Sequence, residues 1–346
     1  MSMRLSVQAT GMVTALGYNA PSTLAALRAG LSGVRTQAWA DQGGGEPYRC
    51  ARVALPQRWS GVALLADLLA PAVHECLQAL VPTAAQASLA SVPLLVGVSD
   101  PSRPGRTPGI EQQLLPALAE RLELAAPHPL SRVYPGGQTG CAQALQDAQA
   151  LIAAGQARHV IVAGVDSLVD RETLVAFDTN RRLLSTGNFN GFLAGEAGCA
   201  VLVGAADAGS ASTWLTGSGH AVETAVIDGT QPLQGLGLTD AVRAALRSAG
   251  LALADVDWRL SDLSGEHYKF KEAMFVAMRL DRGERDEPLA MWHPIEYLGE
   301  IGAAVLPCLV AWARHAMHEG YGPGRTALCH VGSDAGGRSA FVLQSA

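Results

Sequence analysis

The stretch from residue 134 to residue 164 constrains the fold more than any other part of the chain. A turn with two adjacent glycines leads into residues 142–154, which are mostly small or unbranched and favour a helix. Gly155 ends this helix, and the β-branched run at 159–163 predicts a strand buried on both faces. A strand that directly follows a helix of small residues predicts an α/β protein.

Cys141 lies where this predicted helix begins. The partial positive charge of a helix N-terminus lowers the pKa of a thiol, so the position suits a covalent nucleophile. A free cysteine is also a common small apolar residue at the start of a core helix. The stretch alone leaves both interpretations of Cys141 open.

The composition limits what the chain can bind. Its 346 residues are 49% hydrophobic and 16% charged with a net charge of −6, which supplies a large core and gives no general case for nucleic-acid binding. The low charge also suits a homo-oligomer. The six cysteines are scattered without metal-like spacing, which predicts free thiols in a reducing compartment and no metal site.

Targeting and cofactor signals are absent from the sequence. There is no hydrophobic signal region and no apolar run long enough to span a bilayer, so we expect a cytoplasmic protein. The glycine-rich residues 42–46 lack the lysine and the preceding strand of a phosphate-binding loop. We therefore predict no cofactor.

Strand and helix patterns alternate along the whole chain, which implies a mainly parallel sheet. The predicted strands are 4–10, 93–99, 159–163, 196–203, 213–222, 258–263, 326–331 and 339–343. The predicted helices are 22–29, 62–80, 109–122, 142–154, 238–248, 266–280 and 302–318, and residues 173–184 are either helical or irregular. The small residues at 205–212 predict a boundary between two similar halves, 1–205 and 206–346. Each half would then contain one central helix of small residues.

A series of motifs runs through most of the chain in a specific order. They are residues 9–34 (ATGMVTALGYNAPSTLAALRAGLSGV), the Cys141 stretch with 163–167 (AGVDS), 177–185 (FDTNRRLLS), 191–198 (GFLAGEAG) and 232–250. In order and spacing they resemble the β-ketoacyl synthase family of the thiolase superfamily. The resemblance implies a thiolase-like five-layered αβαβα fold built from two similar halves, usually as a homodimer.

The resemblance also implies a chemistry for Cys141. In that family an acyl chain from an acyl carrier protein or coenzyme A is carried on the cysteine, in fatty acid or polyketide biosynthesis. Two histidines support loss of CO2 from a malonyl unit and stabilise the enolate and the thioester oxyanion. Both histidines are missing from the corresponding positions here.

Carboxylates stand at or beside those positions. The first histidine belongs in residues 261–265 (SDLSG), where Asp262 takes its place if Gly265 is aligned. The second belongs in residues 297–304 (YLGEIGAA), where Gly299 takes its place and Glu300 is next to it. A carboxylate repels a developing oxyanion, and the loss of one oxyanion donor costs about two to three orders of magnitude in rate. We therefore expect decarboxylative condensation to be impaired.

The further candidate catalytic residues are Asp262, Glu300, His267 and His293, which lie in or near the altered loops. Either histidine is a candidate base, and Glu266 and Glu300 are candidate bases that activate water. The ordinary alternatives are a surface or interface histidine and a carboxylate that a helix N-terminus stabilises.

Three functions are compatible with these residues. The first is an acyltransferase of the ketosynthase type that acts through Cys141. The second is a non-catalytic ketosynthase-like partner, either of the chain-length-factor type, which usually loses the cysteine, or an adaptor similar to short proteobacterial proteins found near type VI secretion effectors. The third is a thioesterase-like use of Cys141. An open tunnel to the thiol would favour acyl transfer, and a filled one would favour the partner protein.

Overall fold

The structure, a computed structural model, describes residues 4–40, 45–80, 91–205, 213–227, 229–281 and 287–346. Most of the predicted boundary at 205–212 and most of the glycine-rich segment at 42–46 lie outside these residues. In the described part, no helix has the length and apolar character needed to cross a membrane.

Every predicted strand and helix has a counterpart in the structure. The strands are β1 (Leu5–Thr14), β2 (Arg35–Ala40), β3 (Pro47–Ala51), β4 (Leu94–Val98), β5 (Arg132–Pro135), β6 (His159–Ser167), β7 (Ala194–Ala205), β8 (Thr213–Val222), β9 (Trp258–Ser261), β10 (Ala290–Trp292), β11 (Thr326–Gly332) and β12 (Gly337–Ser345). The helices are α1 (Ala20–Arg28), α2 (Gly61–Gln78), α3 (Ile110–Arg121), α4 (Gly140–Ala153), α5 (Arg171–Thr179), α6 (Leu236–Ala249), α7 (His267–Leu280), α8 (Ile295–Leu298) and α9 (Val305–His318).

The strands form two runs with the same order of pairings. The first run is β1-β7-β6-β4-β5 and the second is β8-β12-β11-β9-β10. In each run the first and second strands pair antiparallel, and so do the second and third. The third and fourth strands pair parallel, and so do the fourth and fifth. The sheet is therefore mixed, and the expectation of a mainly parallel sheet is wrong. The division into halves 1–205 and 206–346 stays a prediction.

Two helices of small residues form the centre of the fold. The buried faces of α4 and α9 share one hydrophobic core with the inward faces of both strand runs. The outer face of the first run is covered by α2 and α3, and that of the second by α6 and α7. This order of layers is the predicted αβαβα arrangement, which is confirmed.

The start of α1 differs from the prediction. The helix begins two residues before the predicted start, and Asn19 caps it because its Oδ1 accepts a hydrogen bond from the Ser22 backbone N–H at 2.8 Å. The sequence did not predict β2, β3, β5, β10 or α8, whose lengths are three to six residues. Such short elements carry too few residues to show a periodic pattern.

Candidate functional site

A cavity of about 300 Å³ lies at the carboxyl ends of the parallel strands in both runs. Its lining holds five carboxylates and three cations, which belong to Asp100, Asp166, Glu266, Glu300, Asp334, Arg103, Arg182 and Lys269. The uncharged lining residues include Gln138, Phe177 and Phe192. Ligands of α/β proteins commonly bind at this edge of a sheet, so the cavity is the candidate site.

Cys141 does not line this cavity. Its side chain is fully buried in the central core, where Sγ lies 3.2 Å from the Ala163 carbonyl oxygen and 3.3 Å from the Ala303 carbonyl oxygen. Burial raises the pKa of the Cys141 thiol to about 12, although a hydrogen bond from the Gly97 backbone opposes this. The pKa of this thiol is therefore raised, whereas the position at a helix N-terminus predicts a lowered pKa, because removal of the thiolate from water is the largest effect.

Close backbone packing encloses the thiol. A Cβ atom at Gly97 would lie 2.5 Å from Cys141 Sγ, and one at Gly164 would lie 2.9 Å from it. Only glycine leaves room for the sulfur at these two positions. The environment is that of a small apolar residue at the start of a core helix, which was the second interpretation of this cysteine.

The turn before α4 lines the cavity with Gly137 and with the side chain of Gln138. Gln138 lies in a short 3₁₀ turn, Gly137–Thr139, which precedes α4, and its Nε2 donates a hydrogen bond to Glu300 Oε1 at 3.4 Å. Gly137 has a φ of 54°, in the left-handed region that favours glycine. The sequence analysis missed Gln138.

The second central helix begins in the same way. The 3₁₀ turn Gly302–Ala304 precedes α9 and contacts the turn before α4. A Cβ at Gly302 would lie 2.1 Å from Asp166 Oδ2, so glycine lets this carboxylate approach the turn. Asp166 is paired with Arg103 at 3.2 Å on the other side.

Asp262 and Glu300 are brought together by a cation that the sequence analysis did not single out. Lys269 Nζ lies 2.9 Å from Asp262 Oδ2 and 3.5 Å from Glu300 Oε2, and all three side chains are buried. Burial alone would lower the pKa of Lys269, but the two carboxylates hold it well above its usual value. Burial raises the pKa of Glu300, against the opposing charge of Lys269. The two carboxylates are therefore partners of one ammonium group.

A second group of ion pairs, centred on Arg182, also lines the cavity. Arg182 makes two hydrogen bonds of 2.8 Å to the Glu266 carboxylate and bonds Asp334 at 2.6 Å. Tyr268 donates to the same Asp334 carboxylate at 2.9 Å. Arg182 is buried, because its two carboxylate partners come from loops that are distant in the chain and enclose it.

The structure does not bring His267 or His293 to the cavity. His267 is exposed at the start of α7, where its backbone N–H donates to Asn190 Oδ1 at 2.7 Å. His293 is half-buried just after β10. Among the described residues, no group of three or more histidine, cysteine or acidic side chains has the arrangement of a metal site.

The five layers, with the two central helices, define the thiolase-like ketosynthase fold. The whole chain is similar to the ishigamide ketosynthase/chain length factor, with a TM-score of 0.82, 15% identity and full coverage of both chains. A second similar structure is that of a type II polyketide synthase acyl-carrier protein in complex with its ketosynthase bound to the hexaketide. The match has a TM-score of 0.79 at 14% identity and covers all of this chain and all of that chain.

A third similar structure is a ketosynthase in complex with its chain length factor from Xenorhabdus doucetiae. Its TM-score is 0.77 at 16% identity, and the match covers 99% of this chain and 98% of that one. No family model and no curated protein sequence matches the chain. At these identities the likeness shows the fold, as the motif order predicted.

Proposed function

We propose that this chain is a ketosynthase-fold protein that does not condense acyl units and instead serves as a non-catalytic partner of another protein. One observation carries the proposal. The Cys141 thiol is enclosed in the core, and the turn that precedes its helix instead places the amide side chain of Gln138 in the lining of the cavity. An amide is not a nucleophile in acyl transfer.

The acyltransferase alternative needs an accessible thiolate. A thiol with a pKa of about 12 is ionised in about one molecule in 10⁵ at pH 7. The thioesterase-like alternative has the same requirement. The enclosure of Sγ by Gly97 and Gly164 also leaves no room for an acyl group next to it.

The charged lining of the cavity opposes both substrates of condensation. An apolar acyl chain would have to replace water around five carboxylates and three cations, which costs free energy without new hydrogen bonds. The excess of carboxylates over cations repels the carboxylate of a malonyl unit. A condensing site needs donors near the developing oxyanion, whereas Asp262 and Glu300 are acceptors bound to Lys269.

The partner we propose is a ketosynthase-fold enzyme or an acyl carrier protein. Two of the similar structures contain a ketosynthase with a chain length factor, and one contains an acyl-carrier protein with its ketosynthase. The presence of Cys141 in the sequence argued against a chain-length-factor role, but that objection weakens because this thiol does not face the cavity. An adaptor linked to type VI secretion effectors is a further form of the same proposal.

Intact-mass measurement with thioesters tests the catalytic half of the proposal. Wild type, Cys141→Ala and Gln138→Cys would each be incubated with acetyl-, octanoyl- and malonyl-coenzyme A, with CO2 release followed in parallel. We expect no adduct on wild type or Cys141→Ala. Gln138→Cys should acquire an acetyl adduct, because its thiol would face the cavity and an acetyl group brings neither a long apolar chain nor a carboxylate into it. An adduct on wild type that disappears in Cys141→Ala, or CO2 release by wild type, would overturn the proposal.

A further inference from the structure

Five large apolar side chains are exposed on or beside helix α7. They are five of the nine exposed large apolar residues in the described part of the chain, namely Phe189, Leu236, Phe270, Met274 and Met278. Met274 is 60% exposed and Met278 is 70% exposed. Isolated apolar residues on a surface need no explanation, but a cluster of them marks a binding surface.

The centre of the cluster is one face of α7. Phe270, Met274 and Met278 are spaced at four-residue intervals, so they form one stripe along the helix. The opposite face is buried and includes Lys269 and Glu272. The helix therefore carries its apolar stripe on the side that does not pack against the rest of the protein.

The other apolar residues extend this stripe at its edges. Asn190 bonds the backbone N–H at the start of α7, which puts Phe189 beside the N-terminus of the helix. A Cβ at Gly235 would lie 3.3 Å from the Glu272 Cα and the Phe275 Cβ, so Leu236 begins α6 beside the middle of α7. We call this combined surface the α7 face.

The charges on the α7 face are positive. Lys271 is exposed on the same side of the helix as the stripe, and Arg279 follows at its end. The only acidic residue within α7, Glu272, is buried in an ion pair with Arg338 at 2.7 Å. This positive rim contrasts with the net charge of −6 of the whole chain.

We propose that the α7 face docks an acidic amphipathic helix of a different protein. Methionine and phenylalanine offer an adaptable apolar surface for the apolar side of such a helix, and the basic rim matches its acidic side. A second copy of this chain fits less well, because a two-fold contact would bring two basic rims and no acidic one into the same interface. The inference rests on the proposed partner role and names the surface that the role would use.

Two designed peptides test the docking surface. Both would be synthetic amphipathic helices of about 18 residues, roughly five turns, with leucines on one face and either glutamates or lysines on the other. Binding would be measured by fluorescence anisotropy on the full chain. We expect the glutamate peptide to bind and the lysine peptide to bind much more weakly. Met274→Glu/Met278→Glu should weaken binding by about tenfold or more, and Lys271→Glu by about two- to fivefold.

The matched control is Leu31→Glu, which changes an exposed apolar residue outside the α7 face and should leave binding unchanged. Equal binding of both peptides, or unchanged binding by Met274→Glu/Met278→Glu, would overturn the proposal. So would self-association of wild type that the double variant abolishes in sedimentation, or binding of phosphatidylglycerol vesicles without either peptide. An acyl adduct on Cys141 would contradict the proposed function and leave this peptide test unaffected.

Discussion

Lys269 Nζ bonds Asp262 twice, at 2.9 Å to the carboxylate Oδ2 and at 3.1 Å to the backbone carbonyl oxygen. The same Asp262 Oδ2 accepts a hydrogen bond from the Gly332 backbone N–H at 3.0 Å. One carboxylate therefore ties α7 to the ends of the neighbouring strands β9 and β11. Glu300 joins the group from the turn that precedes α9. The resemblance puts the family's catalytic histidines at these two loops, and here the loops hold a buried ion-pair group.

Removal of the Lys269 cation is expected to destabilise the fold strongly. Lys269→Met keeps the length of the side chain but leaves two buried carboxylates without their partner, which costs about 3–5 kcal/mol. Urea unfolding at pH 7 would measure the loss. The matched control is Lys271→Met on the exposed face of the same helix, which should change the free energy of unfolding by less than about 0.5 kcal/mol. Equal effects of the two variants would contradict the role of the buried group.

Arg182 and Arg181 give a second matched pair. Arg182 binds Glu266 and Asp334, whereas Arg181 is exposed. Arg182→Met should lower the free energy of unfolding by about 3 kcal/mol, because Glu266 would remain buried without a cation. Arg181→Met should have little effect, since it exchanges one unbranched side chain for another in solvent. Thermal unfolding of both variants checks this, and a similar loss in Arg181→Met would show that the ion pair is not the cause.

The layers of the fold could be predicted because long periodic segments carry them. The helix after Cys141 and the strand at 159–163 belong to the core, where burial dictates the residue pattern at many consecutive positions. The pairing of β1 with both β7 and β8 could not be predicted in the same way, because strand direction depends on contacts between residues that lie far apart in the chain. The mixed sheet is therefore the main error at the level of the fold.

The site could be predicted only in part. Asp262 and Glu300 were singled out from their loops, and both belong to the buried ion-pair group. Lys269 was missed because nothing in α7 distinguishes a buried lysine from the exposed Lys271 two residues later. Gln138 was missed because a turn of three residues decides which side chain faces the cavity, and a 3₁₀ turn has no periodicity that the sequence reveals.

The cysteines give a prediction about chemical reactivity. All six are buried, including Cys141, so native protein at pH 8 should react with a thiol-specific disulfide reagent far more slowly than unfolded protein does. Unfolding in guanidinium should expose all six, and Cys141→Ala should reduce that number by one. Absorbance of the released thiolate measures both states. Fast native labelling that disappears in Cys141→Ala would show an accessible thiol at that position.

His330 gives the fold a dependence on pH. Its ring is buried beside the Ser261 hydroxyl, and burial together with the charge of Arg259 lowers its pKa from 6.5 to about 4. Between pH 6.5 and about 4 the unfolded chain binds a proton at this histidine that the folded chain does not bind. The contribution of the neutral ring to the free energy of unfolding is therefore fully present above pH 6.5 and is lost as the pH falls, by ~3 kcal/mol at most. His330→Gln should flatten this slope in urea unfolding at pH 7.5, 6 and 5, whereas the exposed control His318→Gln should keep it. Parallel slopes for wild type and His330→Gln would contradict the assignment.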